Sequence, residues 1–171
     1  MTSKVSSAIV SLLAVTLSVH LCGVQATPTQ RQGSSSASCN ITHVCVVIDQ
    51  SGSISNAEYA EEQQLVNMIA TQIKGINSAV LLSAVAFSTS ARQIQAPTPH
   101  LATFTGSVDQ PRLFRGSTFM SRGLQECRAP LTPLEGSRII VLVTDGQPSD
   151  RSQTISEANL IKDEPGMYLV T

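Results

Sequence analysis

The fold class predicted from this sequence is an α/β domain with a doubly wound, mostly parallel sheet flanked by helices. Three observations predict it. Val44-Cys45-Val46-Val47-Ile48 is an unbroken apolar run rich in β-branched residues, without the alternation of a half-exposed strand. Such runs suit strands covered on both faces, as parallel strands are. Similar runs return at residues 79–87 and 138–144, and helical patterns fall between them. Strands alternating with helices point to a parallel sheet rather than a sandwich or bundle.

In chain order, the first strand is followed by Ser55-Asn56-Ala57-Glu58, a capping box that opens a helix. Leu65, Ile69, Ile73 and Ile76 then form one apolar stripe. After the second strand, Ser88-Thr89-Ser90 reads as a tight turn and residues 91–95 as a short returning strand. Residues 96–115 hold Pro97, Pro99 and Pro111 and read as loop with one short helix. A helix over residues 119–128 places Met120, Leu124 and Cys127 on one side. The third buried strand follows at residues 138–144, a helix at residues 155–162, and a final strand begins at residues 167–170.

The chain has 171 residues, enough for one ordinary domain, and 42% of them are apolar, enough for a core. Its formal net charge of −1 comes without clustered Lys and Arg, which argues against nucleic acid or an anionic membrane as partner. Residues 1–26 read as a secretory signal: Lys4 precedes an apolar stretch over residues 8–21, and Val24-Gln25-Ala26 suits signal peptidase. The stretch is shorter than the roughly 20 residues a membrane span requires. No later segment is a candidate span, so the mature chain is expected to be secreted and without one. Residues 27–40 are a polar leader, and residues 41–171 the folded domain. Asn40-Ile41-Thr42 is an N-glycosylation sequon. Cys22 would leave with the signal, and Cys39, Cys45 and Cys127 remain. Cys45 is expected to pack as a small apolar residue, and Cys39 to bridge to Cys127 or to a cysteine outside this sequence.

The chemistry concentrates at two strand ends. In an open parallel sheet, ligands bind beyond the carboxyl ends of the strands. Asp49 ends the first apolar run and Asp145 the third, each followed by small polar residues, Gln50-Ser51-Gly52-Ser53 and Gly146-Gln147-Pro148-Ser149. On neighbouring parallel strands the two carboxylates reach one sheet edge. In Asp49-x-Ser51-x-Ser53, alternate side chains of a curling chain can turn toward one point. Carboxylate and hydroxyl oxygens suit a hard cation such as Mg²⁺. Neutral hydroxyls leave the ion underneutralised and receptive to an incoming carboxylate, which fits binding better than storage.

These residues resemble the von Willebrand factor type A domain. Asp49-Gln50-Ser51-Gly52-Ser53 is similar to the family's Asp-x-Ser-x-Ser element, Gly116-Ser117-Thr118 to the loop carrying its threonine ligand, and Val143-Thr144-Asp145-Gly146 to the strand end carrying its second aspartate. The resemblance implies an intact metal-ion-dependent adhesion site: Ser51, Ser53 and Thr118 bind Mg²⁺ through hydroxyls, with Mn²⁺ or Ca²⁺ as alternatives. Asp49 and Asp145 bind directly or through water, and an acidic residue of a protein ligand completes the shell. The likeness runs over residues 42–170. The family's domain continues past the strand begun at Met167 through further helices and a last strand, so the resemblance also implies a carboxyl-terminally incomplete domain.

The expected function is extracellular, cation-dependent adhesion to a protein partner on a cell surface or in a matrix, without catalysis. A longer form would allow association with the cell surface. The runner-up is a secreted matrix or scaffold protein that assembles through the domain without metal. A metal-dependent hydrolase ranks last, since no Gly-x-Ser-x-Gly elbow, P-loop or suitably placed His accompanies the aspartates. His43 and His100 lack partners at zinc spacing. Asp150, Asp163, Glu164 and the run Glu58, Glu61, Glu62 are expected on solvated faces.

Overall fold

The computed structural model describes residues 41–171. The expected signal (1–26), the leader (27–40), Cys39 and the sequon asparagine Asn40 lie outside the described residues. Strand β1 (Ile41–Asp49) is followed by helix α1 (Asn56–Ile76) and by β2 (Leu81–Phe87) and β3 (Ala91–Thr98). Next come α2 (Leu101–Val108), α3 (Met120–Leu131), β4 (Ser137–Val143), α4 (Arg151–Asp163) and β5 (Met167–Val170). The strands form one five-stranded sheet in the order β3-β2-β1-β4-β5. β1 pairs in parallel with β2 and β4, β4 in parallel with β5, and only β3 is antiparallel. The doubly wound class holds, and strand order reverses at β1.

The β1 run is central because every side chain from Val44 to Ile48 is buried. Alternate residues serve opposite faces. Cys45 and Val47 join Val85, Phe87, Ile140 and Leu142 beneath α3, with Leu124, Cys127 and Leu131 above them. Gly123 lets α3 settle onto this face: a Cβ there would stand 2.6 Å from Val47 Cγ1 and 3.0 Å from the Phe87 ring.

Cys45 and Cys127 form a disulfide, with Cα atoms 5.9 Å apart. This corrects two expectations. Cys45 is covalently tied rather than merely packed, and Cys127 is unavailable to Cys39. An unbroken apolar run hides a bridging cysteine, because half-cystine and thiol are both small and buried.

Helix α1 opens as expected: the Glu58 amide donates to Ser55 Oγ, and the Ser55 amide to Glu58 Oε2. Its inward stripe is Tyr59, Glu62, Val66, Ile69, Ala70 and Ile73. The expected stripe was right at Ile69 and Ile73, whereas Leu65 is half-buried and Ile76 exposed. Tyr59, Glu62, Val66 and Ala70 also face inward, so the buried face is turned away from Leu65 and Ile76. Helix α4 begins four residues before the expected start, at Arg151. Arg138 is buried, and its guanidinium donates to the carbonyls of Leu131, Thr132 and Pro165. It thereby satisfies the end of α3, whose last carbonyls lack helical partners. Gly166, with φ of +74°, makes the turn into β5.

Candidate metal centre

Asp49 is the last residue of β1 and is wholly buried. Parallel pairing aligns Ile48 with Val143, so the chain that follows β4 leaves beside the one that follows β1. Both expected aspartates therefore stand at the same sheet edge. Asp49 is held from two sides: Oδ1 accepts the Ser51 amide at 2.7 Å, and Oδ2 accepts the Thr144 hydroxyl at 2.7 Å. Charge-assisted bonds of this length fix the carboxylate's orientation. The Thr144 hydroxyl in turn accepts the Gly146 amide at 3.2 Å.

The Ser51 and Ser53 hydroxyls lie 2.8 Å apart, so alternate side chains of this loop do converge. Ser51 is buried and Ser53 exposed. The Gly52 amide donates to the Gly116 carbonyl at 2.8 Å, drawing the Gly116-Ser117-Thr118 loop against the first. The backbone of Gly116 packs closely here: a Cβ would displace the Thr89 and Ser88 hydroxyls. Thr118 is nearly buried and is clamped to the loop after β4: its amide donates to Ser149 Oγ at 3.2 Å, and its carbonyl accepts the Ser149 amide at 2.9 Å.

The structure thus draws together the three loops carrying Asp49, Ser51, Ser53, Thr118 and Asp145. Asp145 is exposed, and among the described residues no hydrogen bond joins its carboxylate to the other four side chains. Its link to them runs through Thr144 and Gly146. The donors are carboxylate and hydroxyl oxygens throughout, and no group of three or more His, Cys, Asp or Glu that could hold a metal is gathered among the described residues. Such a set fits a hard, oxygen-seeking cation and neither a zinc site nor a carboxylate cage.

Several neighbours escaped the sequence. Gln50 is buried: its amide donates to the Phe87 carbonyl at 2.8 Å, its Nε2 to Tyr59 Oη at 2.7 Å, and its Oε1 accepts the Leu113 and Phe114 amides. Asp150, expected to be solvated, accepts from the Ser121 amide and hydroxyl at the start of α3 and from the Thr154 hydroxyl within α4. Glu62, also expected on a solvated face, is buried, and its Oε2 has no partner among the described residues. Burial pushes its carboxyl up to about 8, and the Asp49 and Asp145 charges add to the rise while Arg112 opposes it. The signal for Glu62 was its place on the inward stripe of α1, three residues after Tyr59.

An open α/β sheet carrying carboxylate and hydroxyl groups on its strand-end loops defines the class of protein. Residues 43–171 match the von Willebrand factor type A domain, and the chain belongs to that family. Among solved structures it is similar to the SpRpn10 VWA domain, at 19% identity, 76% of this chain, 87% of that chain and a TM-score of 0.61. It is similar to proximal thread matrix protein 1 from the mussel byssus at 19% identity, 76% and 37% coverage and a TM-score of 0.65. It is also similar to the pilus adhesin SpaC from Lactobacillus rhamnosus GG at 21% identity, 64% and 16% coverage and a TM-score of 0.53. These likenesses establish the fold. The chain spans most of the first, which is a single VWA domain, and well under half of the other two. No match is found among curated protein sequences.

Proposed function

We propose that this chain is a cation-dependent binding module that holds Mg²⁺ through Asp49, Ser51, Ser53, Thr118 and Asp145 and takes an acidic residue of a protein partner. One observation carries the reading: Asp49 is buried and held by two hydrogen bonds beside the converging Ser51 and Ser53 hydroxyls. A buried carboxylate is costly unless it is paired with donors or a cation. Mg²⁺ bound here would supply positive charge that attracts a carboxylate. The chain's own part is to fix Asp49 through Thr144 and Ser51, and to clamp Thr118 through Ser149. Binding rather than catalysis follows from the family, since type A domains are in general interaction modules.

Isothermal calorimetry with Mg²⁺ and Mn²⁺ tests the reading. The parent chain should bind one equivalent, and Ser53→Ala and Asp49→Ala should weaken it, the aspartate change more. Equal affinity in the parent and in a folded Asp49→Ala chain would remove the assignment. A secreted location follows from residues 1–26, and is checked by recovering the processed chain, beginning at Thr27, from culture medium.

A second reading is assembly into a matrix without metal, favoured by the likeness to a mussel thread matrix protein. Self-association that survives chelation would select it.

A further inference from the structure

Beside the metal loops lies a hollow. A cleft of about 340 Å³ opens between the start of β3, the end of α2 and the loop that follows α2. Its walls include Tyr59, Arg92, Gln93, Ile94, Gln110 and Arg112, and no acidic side chain lines it among the described residues. The volume is at the small end for ligand pockets, the scale of one or two side chains rather than a large cofactor.

Arg112 joins this cleft to the metal loops. Its guanidinium donates to the Ser51 carbonyl at 3.3 Å, to the Ile54 carbonyl, and to Asn56 Oδ1 at 3.0 Å. It lies 5.9 Å from the centre of the Tyr59 ring. On its other side it borders a shallower hollow formed by Gly52, Ser53, Ile54, Ser55 and Asn56, which Arg115 also lines. The Arg112 Nε–H is buried without a partner. The ion pair found among the described residues is Arg128–Glu157, on α3 and α4. The cleft is therefore lined by two guanidinium groups and three primary amides, those of Gln50, Gln93 and Gln110, with no carboxylate among its walls. A concave wall of one charge sign attracts the opposite one, and arginine forks match planar carboxylates.

We propose that this cleft is a carboxylate subsite, which takes a second acidic side chain of the same protein partner whose first acid meets the metal. The proposal rests on the reading above for its partner, although the cleft's own affinity does not depend on the ion. Arg92 is the exposed arm that reaches the incoming acid. Arg112 keeps the Ser51–Ile54 turn in place while presenting charge to the cleft. Two acids at a fixed separation make the surface selective for a spaced acidic pair.

The test is an NMR titration of the ¹⁵N-labelled chain with N-acetylglutamate amide in buffer stripped of divalent cations by a chelating resin, reading the side-chain amides of Gln93 and Gln110. These resonances should shift saturably with N-acetylglutamate amide and not with N-acetylglutamine amide. Arg92→Gln, at an exposed position, should weaken the interaction about tenfold or more, in line with loss of a charged hydrogen bond. Equal shifts with the neutral amide, an unchanged Arg92→Gln chain, or saturation by inorganic phosphate alone would each overturn the carboxylate subsite. Because divalent cations are removed beforehand, these outcomes are separate from failure of Mg²⁺ binding, which only the calorimetry reads.

Discussion

Replacing Cys45 and Cys127 together by alanine removes the one covalent tie between β1 and α3 among the described residues. The half-cystines are 82 residues apart. By the chain-entropy relation, opening a loop of that length frees the denatured state by ~4.5 kcal/mol at 25 °C. That is a large share of the roughly 5–15 kcal/mol that holds a domain folded. Both residues are buried, so the alanines also forfeit sulfur contacts, and little solvation offsets the loss. Urea unfolding under non-reducing conditions should show a midpoint lowered by roughly 2 M, taking m near 2 kcal/mol/M. The unchanged parent in excess reductant should fall to a similar midpoint, since buried half-cystines open only with the fold. A double variant within about 0.3 M of the parent would refute the reasoning. So would free Cys45 and Cys127 thiols in the denatured, non-reduced parent.

Two further perturbations probe packing and charge. Gly123→Ala should destabilise by about 1–3 kcal/mol despite alanine's better helix propensity, because the methyl meets Val47 and Phe87. Gly75→Ala, with nothing within 4 Å of the added carbon, should stabilise by up to ~1 kcal/mol. Glu62 binds its proton more tightly folded than unfolded, its carboxyl rising from 4.5 to about 8. Its contribution to stability is thus full below pH 4.5 and lost as pH climbs to about 8. In EDTA, Glu62→Gln should flatten that fall and be the more stable chain at pH 8, by about 1–2 kcal/mol after solvent screening. Parallel stability–pH curves for the two chains would count against a buried, protonated Glu62.

The central strands were legible because burial on both faces leaves an uninterrupted apolar run, and Val44 to Ile48 and Ile139 to Val143 are such runs. The pairing that puts Asp49 beside the chain leaving β4 followed from those strands being parallel neighbours. The capping box at Ser55 and Glu58 was legible because both partners are local. Contacts between distant segments were not. Thr144 bonding Asp49, Ser149 clamping Thr118, Asp150 capping α3 and Gln50 tying down two loop amides all join residues whose proximity only the fold creates. Polar side chains in sequence look solvated, which hides the burial of Glu62, and a small apolar cysteine looks like core.

Paramagnetic mapping with Mn²⁺ in place of Mg²⁺ addresses the central claim most directly. At substoichiometric Mn²⁺, the amide signals of Ser51, Ser53, Thr118 and Asp145 should broaden first and together, while those of β5 and the end of α4 stay sharp. Addition of Mg²⁺ should restore them. Broadening centred on exposed acids such as Asp163 and Glu164, or none at all, would contradict a cation held where the three loops meet.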